Sequence, residues 1–150
     1  MAPVEGVPDE AVEAFVLAAH GNLARVKELH RRHPEVLNAR YAKFDETALE
    51  AAGHMGRRDI AEYLLAKGAR IDLFCAAMLG QLDAVKAFLT LQPRLIDAKG
   101  PHGLGLHFHA QVGGKDAEKV LDYLQSLKKV ELKPIPFLKK PASPPAGKPG

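Results

Sequence analysis

Four stretches of the chain repeat one another, and this self-similarity constrains the fold more than any other feature. Leu17-Ala18-Ala19-His20-Gly21, Ala52-Gly53-His54-Met55-Gly56 and Ala76-Ala77-Met78-Leu79-Gly80 each run small residues into a glycine, and Ala110-Gln111-Val112-Gly113-Gly114 is a fourth copy. After each glycine, apolar residues recur at helical spacing. They are Leu23, Val26 and Leu29; Ile60, Ala61, Leu64 and Leu65; Leu82, Val85, Phe88 and Leu89; then Val120, Leu121, Leu124 and Leu127. His33-Pro34 and Gln92-Pro93 open similar downstream segments 12 residues past Gly21 and Gly80, and Gly68 lies 12 past Gly56.

Each unit reads as a short helix, a glycine turn, a second amphipathic helix and a loop. Gly21, Gly56 and Gly80 are expected to end first helices in the left-handed conformation, which only glycine adopts without a Cβ clash. Gly68 marks the turn that closes a second helix. One such helix pair cannot bury its own apolar stripe, so the units must stack and share stability. The expected units are about 9–40, 41–72, 73–99 and 100–127.

The second unit carries Thr47-Ala48-Leu49-Glu50-Ala51-Ala52, Gly56, Ile60-Ala61, Leu64-Leu65 and Gly68-Ala69-Arg70-Ile71-Asp72. It resembles a whole ankyrin repeat, whose pattern is T-P-L-H-x-A-A, a glycine turn, paired Val/Ile, paired Leu and G-A-D-V-N. The resemblance covers roughly residues 11–127 and is closest to short bacterial ankyrin proteins. It implies an all-α, ankyrin-type helical solenoid of helix-turn-helix units. Ala48 and Glu50 stand where the family has Pro and His. The glycine spacings are 35, 24 and 33 or 34, and the middle one is about nine residues short. A family hairpin finger must therefore be missing between Asp72 and Leu73. Two fingers should remain, around Arg40 to Asp45 and around Lys99 to Leu104.

The resemblance implies a non-catalytic scaffold for protein–protein interaction, with finger tips and inner helices contacting another protein. The candidate face comprises Tyr41, Lys43 and Phe44 on the first finger and Lys99, Pro101 and His102 on the second. On the inner helices it comprises His20, His54, Met55, Met78 and Gln111.

Charge is divided unevenly along the chain. The net charge is +3, but residues 128–150 hold six lysines and one glutamate, leaving the remaining 127 residues slightly acidic. A near-neutral domain argues against specific nucleic-acid binding. The same 128–150 segment holds six of the eleven prolines and reads as an extended or disordered basic tail. An alternative function follows from it: an electrostatic tether or adaptor in which the tail holds an anionic surface or acidic partner.

Catalytic and cofactor chemistry find little support. His102, His107 and His109 fall within eight residues, but on a helix positions 107 and 109 point to different sides, so no metal site is expected. Cys75, the single cysteine, reads as a small buried hydrophobe. No phosphate-binding loop or nucleophile-elbow serine occurs. No apolar run approaches the ~18 residues of a membrane span, and residues 1–21 lack the basic start of a secretory signal. The expectation is a monomeric cytoplasmic protein without cofactor.

Overall fold

The structure, a computed structural model, describes residues 8–135. Most of the basic tail, residues 136–150, lies outside the described residues. The described chain is mostly helical. In order it forms α1 (Asp9–Ala18), α2 (Leu23–Arg32), β1 (Arg40–Tyr41), β2 (Glu46–Thr47), α3 (Ala48–His54) and α4 (Arg58–Ala66). Then follow α5 (Leu73–Met78), α6 (Leu82–Leu91), α7 (Leu106–Val112) and α8 (Glu118–Leu127).

Short polar side chains cap three of the helix starts. Asn22 Oδ1 accepts from the Arg25 N–H at 3.0 Å to open α2, and Asp72 accepts from the Cys75 N–H at 2.7 Å to open α5. Thr47 and Glu50 form a reciprocal capping box on α3. That box gives Glu50 a local role at the start of α3. Asp72 is the last residue of one connection and the cap of the next helix, so no hairpin separates α4 from α5.

Helices pack as consecutive pairs, α1 on α2, α3 on α4, α5 on α6 and α7 on α8. The first members also contact in series, α1 with α3, α3 with α5 and α5 with α7. Two apolar clusters result. Phe15, Val26, Leu49, Ile60 and Leu64 belong to the first, and Val85, Leu89, Leu106, Val120 and Leu124 to the second. The six-residue α5 is the seam between them: Cys75 and Met78 face the first cluster, Ala76 and Ala77 the second. Phe88 and Leu127, which the periodicity assigns to buried faces, are half exposed instead. In α6 the buried stripe narrows to Val85 and Leu89.

Residues 128–135 are tied to the last helix pair. His107 Nε2–H donates to the Lys128 carbonyl at 2.9 Å, and the Gln111 amide donates to the Lys133 carbonyl at 2.8 Å. Gln125 and Val130 exchange two hydrogen bonds, and Lys128 pairs with Asp97.

The glycine turns are not all alike. Gly56, Gly68 and Gly80 take positive φ, but Gly21 does not. The sequence-based role of Gly21 is corrected: α1 ends at Ala18, and Gly21 instead offers its carbonyl to Arg57 Nη1 at 2.7 Å. At Gly80 a Cβ would stand 2.0 Å from the Asp116 carbonyl oxygen, whereas at Gly114 (φ 64°) it would meet nothing within 4 Å. Gly114→Ala should therefore cost only the left-handed backbone penalty, about 1 kcal/mol. Gly80→Ala should cost at least about 2 kcal/mol more. Urea unfolding midpoints at matched m-values measure the difference.

His109, 1% exposed, donates from Nδ1 to the Gly105 carbonyl at 2.7 Å and packs on Phe74. Burial pushes its pKa down to about 4, against the hydrogen bond to Gly105, which raises it. The unfolded chain takes up this proton near pH 6.5, the folded chain only near pH 4. Between those values the unfolded state binds more protons, so stability falls as pH falls through the window, by a total on the order of 3 kcal/mol. His109→Asn, which keeps a donor but does not titrate, should flatten that part of the stability–pH curve.

Candidate functional site

The first finger is the β1–β2 hairpin, paired Arg40 with Thr47 and Tyr41 with Glu46. Arg40 braces its turn, donating to the Asp45 carbonyl at 2.7 Å and to Glu50 Oε1 at 3.1 Å. The second finger closes through a bridge between Lys99 and Gly105. Between the fingers, where α4 runs directly into α5, lies an open cleft of about 390 Å³. The first finger contributes Arg40, Phe44 and Asp45 to it, the second Lys99, Pro101 and His102, and the start of α5 supplies Asp72 and Phe74.

At the edge of this cleft the carboxylate of Glu46 is fully buried, and three imidazoles converge on it. His54, the last residue of α3, donates from Nε2 to Glu46 Oε2 at 2.7 Å. His102 Nε2, from the second finger, lies 3.4 Å from the same oxygen. His20 Nε2, just past α1, lies 3.2 Å from Oε1, but without the alignment of a hydrogen bond, so Oε1 is a buried acceptor with no donor. The other ring nitrogen of His20 is held by the Val16 carbonyl at 2.9 Å. Phe44 packs edge-on against His20 and His102, with centroids 6.1 and 5.6 Å apart, and Tyr41 supports Phe44.

Burial alone would raise the Glu46 pKa. The contacts and charge of His20 and His54 outweigh it and lower the value to about 2, so the group is an anion. The carboxylate in turn raises the His20 pKa against the burial of that ring.

The residues expected to contact a partner separate into three sets. Phe44, Lys99, Pro101 and His102 line the cleft. Lys43 is exposed and Met55 half-buried. Tyr41 is also half-buried, packed on the core and donating to Glu13 Oε2 at 3.0 Å. Two assignments are corrected. Met78 is 1% exposed because α5 is sandwiched between both clusters, and His54 is 6% exposed because its ring is turned inward onto Glu46. Neither presents a surface to a partner. Gln111 already spends its amide on the 128–135 segment.

The histidines close in sequence are not the ones brought together in space. His107 and His109 each bond to backbone, while His102 joins His20 and His54. Glu46 was missed because an acid in a hairpin reads as solvated. The available signal was the repeat itself: His20 and His54 both stand just ahead of the turn glycines of successive units.

Cys75 lies buried on α5, and burial followed by the charge of Asp72 pushes its thiol up to about 12. Without thiolate it should not react with an aromatic disulfide reagent at neutral pH in the folded protein. It should react stoichiometrically in denaturing urea, and rapid labelling of the native protein would contradict this burial.

No protein-family model matches the sequence, and no curated protein compared with it matches either.

Proposed function

We propose that the chain is an ankyrin-type array of stacked helix pairs that works without catalysis, recognising another protein in the cleft between its two fingers. The cleft carries this reading. It is an open recess of about 390 Å³ in which two aromatic rings, Phe44 and Phe74, sit among the charged groups Arg40, Asp72 and Lys99. Apolar surface with a few fixed polar groups is the chemistry of a recognition site. Arg40 is already held by Asp45 and Glu50, so little side-chain freedom is lost when a partner arrives. The repeats in the sequence and the serial contacts of α1, α3, α5 and α7 support the solenoid reading. No helix among the described residues is long and apolar enough to cross a membrane.

A photo-crosslinking side chain in place of Lys99 tests the cleft against one in place of Lys119, which is exposed on α8. The Lys99 position should capture one discrete protein from native extract at least ten-fold more efficiently. Equal capture at both positions would remove the cleft from the function. Capture that disappears when residues 136–150 are deleted would favour the electrostatic tether instead.

A further inference from the structure

Three imidazole nitrogens and a buried carboxylate from four separate segments point at one spot. We propose that His20, Glu46, His54 and His102 form a zinc-class site that pins the second finger to the first.

The donor set fits such an ion. Imidazole and carboxylate together suit zinc and its first-row neighbours, whereas magnesium and calcium take oxygen donors. Four protein donors describe a closed, structural site rather than a catalytic one with an open position. The dimensions also fit. Bonds of about 2.05 Å in a tetrahedron place neighbouring donor atoms about 3.3 Å apart. His54 and His102 lie 2.7 and 3.4 Å from Glu46 Oε2 and His20 lies 3.2 Å from Oε1, and with one donor atom taken per residue all four lie within 4.8 Å of one another.

Two independent observations point the same way. Glu46 Oε1 is a fully buried acceptor whose nearest donor, His20 Nε2 at 3.2 Å, is poorly aligned for a hydrogen bond, a state that costs free energy unless something bonds to it better. The Val16 carbonyl also holds Nδ1 of His20, which orients Nε2 toward the carboxylate, as the outer partners of metal-bound histidines do. Phe44 packs edge-on against His20 and His102. His102, 39% exposed, is the outermost donor and the one a metal must draw in from the finger.

The test uses the full chain without a polyhistidine tag, stripped with a chelator. Zinc should bind at one ion per chain by calorimetry and raise the melting temperature by several degrees, and magnesium should do neither. Cobalt should give the strong visible absorption of a tetrahedral site. His102→Ala, at the exposed edge, should fold with an unchanged circular dichroism spectrum and bind zinc at least ten-fold more weakly. Glu46→Gln should weaken binding likewise. His33→Ala, a histidine outside the cluster, should bind as the unaltered chain does. Absence of zinc binding, or equal affinity in His102→Ala and the unaltered chain, overturns the proposal and leaves the cluster as a charge network.

Discussion

The direct passage from Asp72 into α5 governs the rest of the molecule. Because the residue that ends one connection also caps the next helix, no hairpin stands between α4 and α5. The two remaining fingers then face each other across the gap, and the gap becomes the cleft. The second finger also reaches far enough to set His102 against Glu46, which belongs to the first. A longer connection at that point would occupy the gap in which these groups meet.

Burying Glu46 is costly, since an isolated carboxylate strongly resists leaving water. The strand accepts it because the residue is surrounded by imidazole rings drawn from the turn after α1, from α3 and from the second finger. Only His54 gives it a well-formed hydrogen bond. The neighbouring Thr47 alternates away to cap α3, so the two-residue β2 sends one side chain inward as an anion and uses the other to start a helix. The capping box and the buried anion therefore fix each other's position, because a slip of one residue would exchange their faces.

The helical order of the chain was legible because it rests on short-range rules. Small residues, turn glycines and apolar periodicity repeat, and each copy reinforces the others. The two fingers were legible only through the ankyrin resemblance, read together with the 24-residue spacing from Gly56 to Gly80. The Glu46 cluster was not, because its members are 82 residues apart at the extremes (His20 to His102) and no local pattern joins them. Local proximity groups His102 with His107 and His109, which the helical spacing sets aside as a site and whose ring nitrogens serve backbone carbonyls. Met78 and His54 were misassigned for one reason. Repeat position tells which helix a residue occupies, but burial there depends on how closely the next pair approaches.

His102 shows how the fold treats a position where side chain and backbone make opposing demands. Its φ of 60° lies in the left-handed region, and Gly103 follows at 74°. The turn is closed by Gly103 N–H donating to the Gly100 carbonyl at 3.0 Å. A glycine at 102 would make this turn without strain, whereas a histidine there carries about 1–2 kcal/mol of backbone cost. Contacts must offset that cost, and they do so only where the imidazole lies: against the rings of His54 and Phe44 and over the Glu46 carboxylate. His102 shares this strain with Asp45 in the turn of the first finger (φ 54°), but His102 is the one whose ring reaches across to the other finger. The neighbouring Gly103, with no such contact to make, keeps the turn unstrained at its own position.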